Sequence, residues 1–158
     1  MRDAPSPGMT AGELCVRDVV TATANETATD AARRMAAFHV GDLIVVEDRP
    51  GRLPRPIGVV TDRDLVVKVL ARPDRAPSST KIADVMSRDL VTVDETENVE
   101  RVIEKMRENA IRRIPVVDED DGLQGILTID DVVGWMRDQI EEATRVLERQ
   151  SQGPLTGV

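Results

Sequence analysis

The sequence predicts an α/β (α+β) protein built from two copies of one unit, each a small three-stranded sheet with flanking helices, packed as a single pseudo-twofold module. Three observations predict it. Ala28, Ala31, Ala32 and Met35 recur as Val99, Val102, Ile103 and Met106 at a constant offset of 71, and both quartets have helical spacing. Val45-Val46 returns at the same offset as Val116-Val117. Gly58-Val59-Val60-Thr61-Asp62-Arg63-Asp64-Leu65 returns as Gly125-Ile126-Leu127-Thr128-Ile129-Asp130-Asp131-Val132, now 67 apart, so the first copy carries the longer loop.

Each copy has the same order of elements. A short helix comes first, Gly12 to Val16 and Ile82 to Val85, with Val16-Arg17-Asp18-Val19-Val20 aligned on Ile82-Ala83-Asp84-Val85-Met86 at an offset of 66 and extra residues in the second copy at 87–90. A brief strand follows, Val20-Thr21-Ala22 and Leu90-Val91-Thr92-Val93. The next helix, Ala28 to Phe38 and Val99 to Asn109, starts after a capping Thr27 or Asn98 and buries one face. Two branched apolar strands come next, Leu43 to Val46 with Ile57 to Val60, and Ile114 to Val117 with Leu123 to Leu127. The second pair is joined by a tight Asp120-Asp121-Gly122 turn, the first by a Pro-rich excursion over 48–56. A last helix, Asp62 to Ala71 or Ile129 onward, closes the unit. In the second copy it runs to about Arg149, with Ile140, Ala143 and Leu147 on one stripe able to pack on a second subunit.

The expected organisation is a tail over 1–11, repeats over 12–72 and 81–138 joined by a linker over 73–80, a helical extension over 139–150 and a tail over 151–158. A repeat of this size has a marginal core on its own, so the two copies should bury their sheets against each other.

Composition excludes several classes of function. The 158 residues carry 29 acidic against 21 basic side chains, and a net charge of −8 repels a nucleic-acid backbone. Apolar runs are about four residues long, far short of a membrane helix, and the first nine residues lack the apolar core of a secretory signal. A cytoplasmic protein is expected. One cysteine and one histidine exclude a disulfide framework and multi-cysteine or histidine-rich metal sites. A Cys15/His39 nucleophile pair competes with an inert Cys15 thiol turned inward by its helix.

The residues able to carry function sit where strand meets helix. Thr61 with Asp64, and Thr128 with Asp131, form T-x-x-D in both copies. One interpretation is a helix cap, with Thr as N-cap and Asp complementing the dipole. The other uses the same groups to hold a phosphate and a ribose diol, and the two can coexist.

The ordered set of A-x-x-A-x-x-M-like helix, "IRRIPVVD", and "GVVTDRDLV" or "GILTIDDV", doubled over about Leu14 to Met136, resembles a tandem pair of CBS (cystathionine β-synthase type) domains, a Bateman module. The resemblance implies no catalysis. It implies binding of AMP, ADP, ATP or S-adenosylmethionine, with or without Mg, in clefts between the repeats, and signalling to an effector protein from a homodimer that meets through its helices. Carried over by residue, Asp64 and Asp131 hold ribose, and Thr61 and Thr128 face phosphate or ribose. Val20, Thr21, Ala22, Leu43, Ile44, Val91, Thr92, Val93, Ile114 and Pro115 line the adenine. By position near the motif ends, Arg63, Arg112 and Arg113 are the candidates for phosphate.

The copies depart from symmetry. Arg63 corresponds to Asp130, Asp42 to Arg113, and Ile44 replaces the Pro of the "IPVV" strand, so unequal or single occupancy is expected. An AMP-sized ligand at about −0.3 kcal/mol per heavy atom binds at about ten micromolar. The competing functions are a structural or protein-interaction module with vestigial clefts, and a metal enzyme using Asp62/Asp64 or Asp130/Asp131.

Overall fold

The computed structural model describes residues 8–151, so most of both expected tails lies outside the described residues. Two three-stranded sheets form, each with one parallel and one antiparallel pair. In the first, β1 (Thr21–Thr23) runs parallel to β2 (Asp42–Glu47), which pairs antiparallel with β3 (Arg55–Thr61). In the second, β4 (Val93–Asp94), β5 (Arg113–Val117) and β6 (Leu123–Thr128) repeat that order, and both central strands carry a register shift at matching positions, Val45/Val46 and Val116/Val117.

The helices form where caps and spacing place them. Thr27 caps α2 (Ala28–Phe38) in a reciprocal box with Asp30, and the Asn98 side chain accepts from the Arg101 amide to start α4 (Val99–Glu108). Ala28, Ala31 and Met35 are buried as the quartet requires, and so are Val99, Val102 and Met106. Ala32 is exposed, because the stripe facing the sheet is narrower than the quartet suggests. α2 and α4 end in the left-handed region at His39 and Ala110, where a helix C-terminus favours glycine.

Leu43 and Val45 pack into the first core while Ile44 and Val46 meet Leu123, Val59 and Ile126 of the sheets' shared interface. A strand covered on both faces loses alternation, which explains the unbroken branched run. The sheets are thus buried against each other.

The structure corrects the register at the start of the repeat. The Ile82 amide donates to the Glu26 carbonyl as Ala11 does to Glu97, and Ser87 pairs with Val59 as Val16 pairs with Ile126. Ala11 therefore corresponds to Ile82, the offset stays at 71, and no residues are gained over 87–90; the only shift falls in the 48–56 loop. The repeats also exchange these leading segments. α1 (Ala11–Leu14) closes the second core through Ala11, whereas Ile82, Val85 and Met86 of the 3₁₀ turn Ile82–Asp84 and its sequel close the first. Gly58 and Gly125 make room for this exchange. A β-carbon on Gly58 would lie 2.5 Å from the Ser87 carbonyl oxygen, and one on Gly125 2.6 Å from the Cys15 sulfur.

Three further differences are local. The strand expected at 90–93 is only Val93–Asp94, since Leu90 and Val91 run ahead of it along a cleft. The helix expected from Asp62 to Ala71 is α3 (Asp62–Leu65) followed by a π-helical turn Val66–Leu70, a widening that apolar spacing does not reveal. The 48–56 loop latches onto the second repeat, with Arg49 donating to the Asp120 carbonyl at 2.5 Å and the Leu123 amide to the Pro54 carbonyl at 2.9 Å. α5 (Ile129–Ser151) runs past the repeat with Ile140, Val146 and Leu147 exposed. No helix among the described residues is long and apolar enough to cross a membrane.

Candidate functional site

Two clefts lie between the repeats, related by the repeat itself. One is lined by Val20, Val40 and Ile44 of the first copy and by Ile126 and Thr128 of the second. The other is lined by Val91, Ile111 and Pro115 of the second copy and by Val59 and Thr61 of the first. Each residue lining the Thr128 cleft has its counterpart in the Thr61 cleft at an offset of 71 or 67, and the Thr61 cleft adds Ile44 and Arg112. Each cleft thus joins the strand wall of one copy to the capping threonine of the other, and of the expected adenine wall only Ile44, which borders both clefts, shares a cleft with the T-x-x-D motif of its own repeat.

The threonines are held by complete capping boxes. The Thr61 hydroxyl donates to Asp64 Oδ2 at 3.0 Å while accepting from the Asp64 amide, and Thr128 does the same with Asp131 at 2.6 Å. Asp64 and Asp131 are half-buried behind the threonines rather than part of the cleft walls. Their surroundings differ one turn on. Lys68 pairs with Asp64 Oδ1 at 2.7 Å and donates to the Val85 carbonyl, whereas Trp135 occupies the equivalent position in the second copy, with a buried indole N–H that finds no acceptor among the described residues. Burial pushes the Asp64 carboxyl up, but the Lys68 ammonium and the Thr61 amide and hydroxyl outweigh it and hold its pKa below the ordinary value.

The arginines separate. Arg63 is exposed and lines neither cleft, Arg112 lines only the Thr61 cleft, and Arg113 borders both and pairs with Asp42. Burial raises the Asp42 pKa; Arg113 draws it back and Asp62 adds to the rise.

Of the wall residues, Val20, Ile44, Val91 and Pro115 face the clefts. Ala22, Leu43, Val93 and Ile114 are turned into the two cores, because neighbouring residues on a strand point to opposite faces. Thr92 faces a separate hollow with Arg55 and Arg88, and the Thr21 carbonyl accepts from Arg34. Motif reasoning missed Asp18, Val19 and Val40 with their counterparts Asp89, Leu90 and Ile111, and also Ile126 and Val59. The offset of 71, applied from Ala11 onward, pairs the first six.

The structure does not assemble the alternative catalytic groups. Cys15 packs in the second core, its thiol pKa raised chiefly by burial, while His39 is the exposed C-terminal cap of α2. Among the described residues no three His, Cys, Asp or Glu side chains come together as a metal site.

Comparisons agree with this architecture. An uncharacterised protein of Methanopyrus kandleri is 35% identical over 77% of this chain, and the match spans 60% of its own length. The crystal structure of Hypoxic Response Protein I, with two coordinated zinc ions, is 30% identical with a TM-score of 0.67, covering 78% of this chain and 96% of that one. The CBS domain pair of protein MJ0100, in complex with 5′-methylthioadenosine and S-adenosyl-L-methionine, is 25% identical with a TM-score of 0.68, covering 84% and 99%. The chain spans about three fifths of the length of the curated relatives it matches first. Its two repeats match the CBS domain over residues 11–71 and 82–138, and the chain belongs to that family.

Proposed function

We propose that this protein is a regulatory module that binds an adenosine-containing ligand, AMP, ADP, ATP or S-adenosylmethionine, between its CBS repeats and reports that state to an effector protein. The observation that carries the proposal is the pair of clefts, each joining an apolar wall to a fixed threonine hydroxyl. The base would lie between aliphatic walls such as Val91 and Pro115. Asp64 and Asp131 would take ribose hydroxyls through carboxylate oxygens that the caps leave available, with Lys68 displaced in the first case. The ligand complex of the MJ0100 pair supports this class of ligand. The same proposal makes the protein a cytoplasmic homodimer in which a second copy covers the exposed Val66, Val133 and Met136 on the closing helices.

Titration calorimetry with AMP, ATP, S-adenosylmethionine and 5′-methylthioadenosine tests the proposal. Binding of at least one at about ten micromolar is expected. Absence of heat and of thermal stabilisation with all four would leave an interaction module built around the exposed α5 extension.

A further inference from the structure

The repeat relates the two clefts but not their charges. Arg112 stands immediately before β5 and borders the Thr61 cleft, and among the described residues its guanidinium makes no hydrogen bond or ion pair. Its counterpart, 71 residues earlier, is Gly41, so the Thr128 cleft has no side chain at that place. Arg113 borders both clefts but is already paired with Asp42. In the Thr61 cleft the two arginines balance Asp42 and Asp89, whereas in the Thr128 cleft Arg113 alone faces Asp18 and Asp42. The helix start beside each cleft adds to the difference, with Asp62 and Arg63 cancelling at one and Ile129 and Asp130 leaving one negative charge at the other. Size follows charge. The Thr61 cleft, with Val59 where the other has Ile126, has a cavity of about 220 Å³ against about 110 Å³, and Ile44 borders both.

We propose that only the Thr61 cleft accepts a phosphorylated adenosine ligand and that Arg112 is the residue that selects it. This rests on the adenosine-binding proposal above. An unpaired guanidinium gives a phosphate charge-assisted hydrogen bonds without first breaking an ion pair. A phosphate in the Thr128 cleft would instead meet Asp18 and an arginine already engaged with Asp42.

Calorimetry with AMP and with 5′-methylthioadenosine, which lacks phosphate, tests it on the full chain. Wild type binds one AMP per chain, and Arg112→Ala reduces its preference for AMP over 5′-methylthioadenosine about 10- to 100-fold. Gly41→Arg combined with Asp62→Ala, which removes the carboxylate whose Oδ2 lies 3.4 Å from a β-carbon at Gly41, raises the AMP stoichiometry to two. Two AMP molecules per wild-type chain, or an AMP preference unchanged in Arg112→Ala, would overturn the inference while leaving adenosine binding intact. If neither ligand binds, the adenosine proposal falls and this inference falls with it.

Discussion

The Thr61 and Thr128 clefts have one plan and two outcomes. Each has a threonine in a capping box, a β-branched wall from the other repeat and an aspartate set behind the threonine. The differences lie in single side chains at equivalent positions, with Arg112 against Gly41, Pro115 against Ile44, Val59 against Ile126 and Lys68 against Trp135. Duplication supplies a backbone that places polar groups between the halves, and substitution along the walls then decides volume and charge. Features shared by both copies serve the fold and the common part of ligand binding, and features found in only one are the candidates for ligand choice.

Variants at shared positions should behave alike in the two copies, which is the strongest way to break this comparison. Leu43→Ala and Ile114→Ala each empty a fully buried place under their sheets and should each cost about 2–5 kcal/mol in urea denaturation. A large loss in one and none in the other would mean the cores are not equivalent. Gly58→Ala and Gly125→Ala force a methyl group into the exchanged segments and should each cost about 1–3 kcal/mol by the same measurement.

Asp64 and Asp131 sharpen the contrast, because both cap a helix but only Asp64 is also paired with lysine. Either aspartate changed to Ala should cost about 1 kcal/mol from the cap. The Asp64 pKa is lowered in the folded state, so its contribution is complete above the ordinary carboxylate range near 4 and is lost as pH falls through the lower folded value. Asp64→Asn should therefore flatten the acid side of the stability profile below about pH 4, followed by circular dichroism. An unchanged acid limb would show that neither the Lys68 pair nor the Thr61 cap makes the ionised Asp64 stabilising. The smallest effects belong to the helix ends. His39→Gly and Ala110→Gly relieve left-handed backbone and should each add up to about 1 kcal/mol, read as a rise in Tm.

Much of the fold was legible because the helical quartets and branched strand pairs follow their periods closely, as at α2, which spans Ala28–Phe38 in both sequence and structure. The register of the leading helices was not. Asp18-Val19 and Asp84-Val85 share a local pattern that suggests an offset of 66, whereas backbone pairing of Ala11 with Glu97 and of Ile82 with Glu26 fixes 71. Spacing along a chain also carries no information about which copy's helix meets which copy's strands. The motif residues Thr61 and Thr128 could therefore be named from the sequence, while their cross-repeat walls, and the isolation of Arg112 in one cleft, required three dimensions.

A crystal structure of the protein grown with AMP tests the central claim most directly. The account predicts a nucleotide in the Thr61 cleft, its base between Val91 and Pro115, its ribose toward Asp64 and its phosphate on Arg112. A nucleotide seated with its phosphate in the Thr128 cleft, or both clefts empty at saturating AMP, would contradict it.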